Sequence, residues 1–259
     1  MSREDVLEQI CAAERKAARL MLEAKGIIAE CKSSARNVVT EYDRRVQELL
    51  ISELGAALPE AHFICEEKEN TESLSAGQCF IIDPIDGTMN FVHGFNCNCI
   101  SVAYAECGEI VVAAVYDPYQ DEMFTAIQGK GAAMNGKPIH VDDCGLANSV
   151  VCVGTAPYRP EISDVSFALI KTAFDNSLDI RRRGAAALDL CSVAAGHAGL
   201  YFEMEVALWD YAAGLLIVTE AGGICSTLEW TDLPLDLSHP TIAAGGKRAR
   251  EEIKKLICQ

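Results

Sequence analysis

The chain has 259 residues, of which 50% are hydrophobic, and this content excludes an intrinsically disordered protein. Its 22 basic and 38 acidic residues give a formal charge of −16, which disfavours contact with nucleic acid or an anionic membrane. The charged start of the chain does not read as a signal peptide. No stretch approaches the roughly 20 apolar residues of a membrane-spanning helix. We therefore expect a soluble, cytoplasmic protein with no membrane or nucleic-acid partner.

The first half of the chain predicts two helices followed by an antiparallel sheet. Apolar residues at helical spacing predict a helix over 3–24, and Thr40 is a candidate N-cap for a second helix. Short strands are predicted at 62–67 and 79–84, each ending in acidic residues. Three further strands (100–106, 109–117 and 122–128) precede an Asn-Gly hairpin signal at 135–136.

The second half alternates strands and helices. Strands are predicted at 149–155, 178–184, 200–205, 224–227 and 241–245, and helices at 161–177, 185–199, 209–223 and 247–257. The sequence contains no internal repeat, and no linker divides it into separate domains. We therefore expect one compact α/β (α+β) unit over 1–259, with halves at about 1–145 and 146–259 and stacked layers of helices and sheets.

Twelve cysteines are spread along the chain without a Cys-x-x-Cys pair, and most lie in apolar runs. This distribution is typical of small buried side chains in a reducing compartment, and it predicts no disulfide framework and no structural zinc site. Redox regulation through Cys65, which lies beside Glu66, stays open as an alternative.

The segment "FIIDPIDGTMNF" (80–91) ends an apolar run in two carboxylates three residues apart, Asp83 and Asp86. Buried charge is costly unless it is paired. Pro84 keeps the intervening backbone out of the helical region, so the turn can aim both carboxylates and the Ile85 carbonyl at one point. Oxygen ligands without histidine or cysteine favour a hard cation, and above all Mg²⁺.

The next two residues indicate an anion beside that cation. Gly87 lets the backbone approach a ligand closely, and a short helix starting near Thr88 would present free N–H groups. Mg²⁺ is usually bound by a few carboxylates together with substrate phosphate oxygens. The sequence therefore predicts phosphate chemistry, and two or three Mg²⁺ would reconcile the acidic chain with an anionic substrate.

Each acidic residue also has a structural explanation, and the spacing alone does not decide between the two. Asp43 fits the acidic end of a capping box with Thr40, and Asp210 fits an N-cap. The Glu66-Glu67 pair also fits a solvated turn, and the segment 83–87 also fits a tight turn. The segment Lys32–Ser34 also fits an ordinary polar loop.

Taken together, the segments resemble the inositol monophosphatase family over about 5–255. The resemblance is carried by 32–43 ("KSSARNVVTEYD"), 66–70 ("EEKEN"), 83–94 ("DPIDGTMNFVHG"), 129–141, 184–204 and 209–223 ("WDYAAGLLIVTEAGG"). It implies a layered α-β-α-β-α fold of the inositol monophosphatase and fructose-1,6-bisphosphatase type. It also implies a homodimer, lithium sensitivity and Mg²⁺-dependent hydrolysis of a small phosphate monoester.

The resemblance assigns roles by position. The metal ligands are Glu66, Asp83, the Ile85 carbonyl, Asp86 and Asp210. Thr88 and Asp43 match the catalytic pair that orients and activates the attacking water. The substrate contacts are Asp86, Gly87, Thr88, Gly184, Ala186, Glu203 and Asp210.

The sequence departs from the family pattern at Cys65, Asn37 and Gln47, none of which is a metal ligand in the pattern. The basic run Arg181–Arg183 fits either a solvated strand end or an extra anion contact.

"TMNFVHG" favours inositol 1-phosphate over a nucleotide 3′-phosphate as the substrate. Fructose 1,6-bisphosphate, histidinol phosphate, NADP and other sugar phosphates remain alternatives, and a binding or regulatory protein is the alternative of another class.

Overall fold

The computed structural model describes residues 1–257, apart from the side chain of Ser33, so Cys258 lies outside the described residues. Its helices are α1 (Arg3–Leu22), α2 (Glu41–Ala57), α3 (Thr88–His93), α4 (Ser163–Asn176), α5 (Ala186–Ala194), α6 (Leu208–Glu220) and α7 (Lys247–Ile257). In these residues no helix is long and apolar enough to cross a membrane.

The strands form one hairpin and two sheets. The strands are β1 (Ala29–Ser34), β2 (Asn37–Thr40), β3 (His62–Cys65), β4 (Gln78–Asp86), β5 (Cys99–Glu106), β6 (Glu109–Asp117), β7 (Glu122–Ile127), β8 (Ala132–Met134), β9 (Lys137–Ile139), β10 (Val150–Val153), β11 (Asp179–Arg181), β12 (Leu200–Glu203), β13 (Ile224–Ser226) and β14 (Ile242–Gly245). The larger sheet has the order β3-β4-β5-β6-β7-β8-β9, and the smaller has the order β11-β10-β12-β14-β13.

Three apolar clusters order these elements into five layers. Helices α1 and α2 cover one face of the larger sheet with residues such as Ile10, Val46 and Leu50. Helices α5 and α6 lie between the two sheets, where Leu190 and Ile217 join residues of both. Helices α4 and α7 cover the outer face of the smaller sheet. This arrangement confirms the predicted α-β-α-β-α layering.

Two local predictions were wrong. Strands β3 and β4 pair in parallel, so the larger sheet is not wholly antiparallel. The segment Lys32–Ser34, which also fitted a polar loop, lies in β1 and pairs with β2. The direction of the β3–β4 pairing depends on contacts between separate segments of the chain. The β1–β2 hairpin is local, but the polar residues of β1 lack the alternating apolar pattern that indicates a strand. The division of the chain into halves near residue 145 stays a prediction.

Candidate active site

Asp83 and Asp86, the two carboxylates of the segment 80–91, lie at the buried end of β4. Opposite β5, the pairing passes from Asp83↔Ser101 to Asp86↔Cys99, so β4 carries one extra residue. Residues three apart on a regular strand face opposite sides, and the extra residue compensates for this. Asp83 and Asp86 are 2% and 7% exposed, so both carboxylates are removed from bulk water.

Both carboxylates are held by backbone N–H groups. Asp83 Oδ1 accepts from the Ile85 N–H at 3.0 Å. The two oxygens of Asp86 accept from the N–H groups of Ala186 (3.2 Å) and Ala187 (2.7 Å), at the start of α5. Asp86 therefore joins the two halves of the chain at this point, and the favourable N-terminus of a helix supports its negative charge.

Thr88 is the first residue of α3, and Gly87 before it has φ 90°. A Cβ on Gly87 would lie 3.1 Å from the carbonyl oxygens of Cys97 and Gly184, so both the conformation and the space require glycine. Thr88 Oγ1 lies 3.0 Å from Asp43 Oδ1 and 3.1 Å from the Ile85 carbonyl oxygen. The hydroxyl is thereby fixed between the Asp43 carboxylate and the β4–α3 turn.

Asp43 serves two structural partners with different oxygens. Its Oδ2 accepts from the N–H (2.7 Å) and the hydroxyl (2.6 Å) of Thr40, which completes the predicted capping box of α2. Its Oδ1 faces Thr88. The capping explanation and the site explanation of Asp43 are therefore compatible, because the cap occupies only one carboxylate oxygen.

The Glu66-Glu67 pair follows β3 in a turn that side chains hold in place. Asn70 accepts from the Cys65 N–H (3.0 Å) and donates to the Cys65 carbonyl (2.8 Å), which clamps the turn where the family has glycine. Gln47 accepts from the Glu67 N–H at 2.9 Å. The Glu67 side chain is 7% exposed, so the alternative of a solvated turn was wrong for this residue. Two of the three departures from the family pattern thus bear on the placement of this turn.

Lys32, on β1, pairs with both acids of that turn. Its Nζ lies 2.7 Å from Glu66 Oε1 and also contacts Glu67 Oε1. Burial and the neighbouring Glu66 raise the pKa of Glu67 to about 7, although Lys32 opposes the shift. The hairpin that the sequence did not predict therefore supplies a cation to an acidic corner of the site.

Asp210 and Glu203 reach the site from the second half of the chain. Asp210 Oδ2 accepts from the Ala207 N–H at 2.8 Å, so Asp210 stands in the first turn of α6 and is not its N-cap. Glu203, at the end of β12, accepts from the Ala156 N–H (2.9 Å) and the Tyr201 hydroxyl (2.8 Å). A side chain on Gly154 would collide with the Glu203 carboxylate, so that glycine makes room for it.

The acids perturb one another, which indicates that they lie together. Burial, and then the negative charges of Glu66, Asp86 and Asp210, raise the pKa of Asp83 well above its usual value. Burial raises the pKa of Asp86 to about 7, against the two N–H groups that favour its charged form. Burial, followed by Asp86 and Glu66, likewise raises the pKa of Asp210. Such a crowd of carboxylates is relieved by a cation.

The site opens to solvent through a cleft of about 400 Å³. Eight of the predicted site residues line it: Glu66, Asp86, Gly87, Thr88, Gly184, Ala186, Glu203 and Asp210. Asp43, Asp83 and Ile85 lie behind this lining and are buried. Elements of both halves of the chain thus meet at one cleft.

The three arginines at 181–183 have different surroundings. Arg181 pairs with Asp179, and Arg183 donates to the Ser192 hydroxyl and the Leu188 carbonyl. Only Arg182 of the three lines the cleft, where it donates to Thr155 Oγ1 at 3.2 Å. The solvated reading therefore fits Arg181, while Arg182 is placed for contact with a ligand.

The cleft also contains residues that the sequence did not single out for the site. These are Arg36, Tyr158, Asp189 and Glu205. Arg36 donates to the Pro157 carbonyl at 3.1 Å, which links the β1–β2 hairpin to the loop after β10. Arg36, Tyr158 and Glu205 lie in loops and Asp189 lies within α5. None of them belongs to a sequence motif, so only the fold reveals that they face the site.

The cysteines do not provide a reactive thiol beside Glu66. All eleven cysteines of the described residues are free. Cys65 is fully buried, and burial raises the pKa of its thiol to about 12. Since the thiolate is the reactive species, this environment disfavours the redox alternative.

Comparison with known proteins agrees with this geometry. The profile of the inositol monophosphatase family matches residues 2–259. The chain belongs to the inositol monophosphatase family. It is 36% identical over 224 residues to the Nus factor SuhB of Pasteurella multocida, covering 86% of this chain and 84% of the relative. It is 32% identical over 253 residues to the inositol-1-monophosphatase of Rhizobium meliloti, covering 97% and 94%.

Solved structures of the family share the fold. The extragenic suppressor protein suhB of Bartonella henselae superposes with a TM-score of 0.90 at 32% identity, covering 97% of each chain. An IMPase/NADP phosphatase complexed with Mg²⁺ and phosphate superposes with a TM-score of 0.87 at 25% identity, covering 99% of this chain and 96% of that one. These family structures support a divalent metal as the cofactor of this chain.

The residues of this family member fit such a metal by their chemistry. In residues 1–257, no set of three or more His, Cys, Asp or Glu side chains is arranged, as it stands, to hold an ion. Mg²⁺ does not need such a set, because it keeps several waters and takes one or two carboxylates with phosphate oxygens. The buried, mutually repelling carboxylates of Asp83 and Asp86, with the Ile85 carbonyl between them, are oxygen groups of the kind that would hold such an ion.

Proposed function

We propose that this chain is a Mg²⁺-dependent phosphate monoester hydrolase that acts on inositol 1-phosphate. The observation that carries the proposal is the fixed hydroxyl of Thr88, which lies 3.0 Å from Asp43 Oδ1 at the edge of the acidic cluster. A hydroxyl oriented by a carboxylate, next to oxygen ligands for a hard cation, is an arrangement suited to hydrolysis by water.

In the proposed reaction, the protein supplies positioning and charge. Asp43 Oδ1 draws the Thr88 proton toward itself, so the hydroxyl oxygen can accept a hydrogen bond from the attacking water. The metal would be held by Asp83, Asp86, the Ile85 carbonyl, Glu66 and Asp210. Bound Mg²⁺ supplies positive charge to the phosphate oxygens and makes water more acidic. Water attacks phosphorus in line while the bond from phosphorus to the inositol oxygen breaks. The proton of the water passes toward Thr88 and Asp43, and the departing inositol oxygen takes a proton from solvent. No covalent intermediate with the protein is involved.

The proposed substrate contacts follow the lining of the cleft. The backbone at Gly87 and Thr88 would hold the phosphate. Gly184 and Ala186 lie across the cleft, where Ala186 is tied to Asp86 at 3.2 Å. Glu203 would accept hydrogen bonds from the hydroxyl groups of inositol. A cleft of about 400 Å³ has room for a small sugar phosphate together with its metal ions.

A substrate with a second anionic group is the second candidate, and Arg182 favours it. Arg182 lines the cleft, and its guanidinium donates only to a neutral hydroxyl. The charge of Arg182 also opposes the rise in the pKa of Glu203, and its planar guanidinium fork suits a second phosphate. Fructose 1,6-bisphosphate and NADP both provide one.

A binding or regulatory role is the proposal of another class, because similar proteins are named Nus factor SuhB. All four side chains among the predicted metal ligands are acids in this chain, which favours catalysis over binding alone. With a formal charge of −16, direct contact with nucleic acid stays disfavoured. The cytoplasmic location predicted from the sequence also stays a prediction.

We further propose the homodimer that the family implies, with α4 at the interface. Phe167 and Phe174 lie seven residues apart on α4, Leu178 follows the helix, and the three side chains are 60%, 54% and 65% exposed. Apolar side chains of this size on one helix face are typical of a surface that a partner covers. Light scattering of the wild type and of Phe167→Glu with Phe174→Glu tests this: a dimer that becomes a monomer supports it, and an unchanged mass contradicts it.

A substrate panel tests the function directly. Phosphate release with Mg²⁺ is measured from inositol 1-phosphate, fructose 1,6-bisphosphate, histidinol phosphate, NADP and adenosine 3′,5′-bisphosphate. A preference for inositol 1-phosphate supports the first proposal. A large preference for fructose 1,6-bisphosphate or NADP contradicts the inositol proposal and supports a substrate with a second anionic group. If the protein is folded but releases phosphate from no substrate, the result supports a binding role.

A further inference from the structure

A second cavity, of about 290 Å³, lies between β13, the loop that follows it and the start of α7. We call it the Arg250 pocket, defined by Ser226, Trp230, Thr231, Lys247, Arg250 and Lys254. It has no lining residue in common with the catalytic cleft. Its chemistry is also opposite, since bases dominate here and acids dominate there.

Arg250 is a buried cation without a counter-charge. It is 8% exposed, its guanidinium donates to the Ser226 hydroxyl, and its Nε is buried without a hydrogen-bond partner. Among the ion pairs of residues 1–257, none involves Arg250, Lys247 or Lys254. Burial lowers the pKa of Arg250, which shows that its surroundings do not compensate the charge. Buried charges are normally paired with an opposite charge, whereas the partners of this guanidinium are a neutral hydroxyl and an aromatic ring.

Trp230 adds a second unused donor. Its indole Nε1 is buried and has no hydrogen-bond partner. Arg250 and Lys254 lie over its ring, 5.4 Å and 5.1 Å from the ring centre. The residue has φ 66°, a conformation that a bulky side chain rarely adopts. The loop thus holds an aromatic ring, with two cations on it, in a strained position at the pocket.

The charge around the pocket favours an anion. The lining of the pocket contains three basic side chains (Lys247, Arg250 and Lys254) and two acidic ones (Asp232 and Glu251). The first turn of α7 contains no acidic residue and begins with Lys247. The Asp143 carboxylate already accepts from the Arg248 N–H at this helix end (2.9 Å), so the unmatched positive charge lies on the side chains of the pocket. This local excess of positive charge occurs in a chain whose formal charge is −16.

We propose that the Arg250 pocket binds the phosphate group of a small anion. The guanidinium of Arg250 and the indole N–H of Trp230 donate to the phosphate oxygens, and Lys247 and Lys254 neutralise the remaining charge. A tetrahedral dianion satisfies several convergent donors at once, which a chloride ion does not. This site is separate from the proposed catalytic reaction and does not depend on it.

The indole signals provide a selective test, because the chain has two tryptophans. Trp230 lies in the Arg250 pocket and Trp209 precedes Asp210 of the catalytic site. Inorganic phosphate is titrated into metal-free ¹⁵N-labelled protein at constant ionic strength, with chloride as the balancing anion. We expect a saturable shift of the Trp230 indole resonance, assigned with Trp230→Phe, while the Trp209 resonance stays in place.

Two charge-matched variants decide whether the pocket is responsible. Arg250→Gln is expected to weaken phosphate binding by about tenfold or more, the equivalent of one charge-assisted hydrogen bond. Arg248→Gln removes the same charge from an exposed position on the same helix, outside the pocket, and should leave binding unchanged. If Arg250→Gln does not fold, Lys254→Gln replaces it, with a smaller expected loss.

Three outcomes overturn the proposal. The first is the absence of a saturable shift at Trp230. The second is equal binding by the wild type and by the pocket variant. The third is an equal shift of the Trp230 resonance with chloride. That result would mean that Arg250 has a structural role and attracts small anions without a specific site. The catalytic experiments have no bearing on any of these outcomes, because the titration is done without metal or substrate.

Discussion

The Thr88 hydroxyl lies 3.0 Å from Asp43 Oδ1, while the other oxygen of Asp43 caps α2 through Thr40 at 2.6 and 2.7 Å. One buried carboxylate therefore both fixes a helix and orients a hydroxyl at the cleft. Because the cap immobilises Asp43, the direction of the Thr88 hydroxyl is determined by the fold before a substrate arrives. Such preorganisation is what positions a water molecule for attack.

Replacement of Thr88 tests this link. Thr88→Val keeps the shape and removes the hydroxyl, and we expect kcat to fall by about 10²-fold or more, as for loss of a group that guides proton transfer. Thr88→Ser restores the hydroxyl and should recover most of the activity. Steady-state kinetics with inositol 1-phosphate, together with circular dichroism to confirm folding, measure this. Equal activity of the Val and Ser variants would contradict the proposed role.

Arg182 and Arg181 form a matched pair for substrate selection. Arg182 faces the cleft, whereas Arg181 pairs with Asp179 away from it. We expect Arg182→Ala to raise KM for fructose 1,6-bisphosphate by about tenfold, the value of one charge-assisted hydrogen bond, and to change KM for inositol 1-phosphate little. Arg181→Ala should change neither. Two results would contradict a selective contact by Arg182. One is a similar change of KM in Arg181→Ala and Arg182→Ala, and the other is an equal change of KM for both substrates in Arg182→Ala.

Gly154 controls the space of Glu203, since a side chain at this position would collide with the Glu203 carboxylate. We expect Gly154→Ala to displace Glu203 and to raise KM for inositol 1-phosphate, while the Mg²⁺ dependence changes little. Gly55→Ala serves as the control, because its new Cβ would meet Phe63 at an ordinary 3.7 Å. An unchanged KM in Gly154→Ala would mean that Glu203 does not contact the substrate.

Glu14 makes stability depend on pH. Its side chain is fully buried in α1, and neither carboxylate oxygen has a hydrogen-bond partner. Burial raises the pKa of Glu14 well above its unfolded value of 4.5. The folded state thus prefers the protonated acid, so this residue lowers stability progressively as the pH rises from 4.5 toward the folded pKa.

Glu14→Met should therefore stabilise the protein at neutral pH by about 1–3 kcal/mol, the usual cost of a buried polar group without partners. The gain should shrink as the pH falls toward 4.5. Chemical denaturation at several pH values measures it. The control Glu8→Met changes an exposed residue of the same helix and should have little effect. A gain that does not depend on pH would contradict this, because it would mean that Glu14 has the same pKa in the folded and unfolded states.

The sequence predicted most of the elements because their signals are local. The capping box at Thr40 and Asp43, the Asn-Gly hairpin and the run of apolar strands all appear in the structure at the predicted places. The predicted acids also meet at one cleft, which the resemblance implied but the spacing alone did not establish. Their roles as metal ligands and substrate contacts stay predictions.

What the sequence did not predict depends on distant partners. The hairpin of β1 and β2 places Lys32 against Glu66, and the polar run of β1 gives no sign of it. The bulge in β4 arises from pairing with β5 and cannot be read from Pro84 alone. Likewise, the three consecutive arginines look alike in sequence, and only the packing of α5 and β11 separates Arg182 from its neighbours.

The dependence of hydrolysis on a bound metal ion can be measured with three forms of the protein. Phosphate release from inositol 1-phosphate is followed against Mg²⁺ concentration for the wild type, Asp83→Asn and Glu14→Gln. The last variant removes one buried carboxylate outside the cleft and controls for folding and charge. We predict that activity requires Mg²⁺, disappears in Asp83→Asn and persists in Glu14→Gln. Activity that is independent of Mg²⁺, or that survives in Asp83→Asn, would contradict the account.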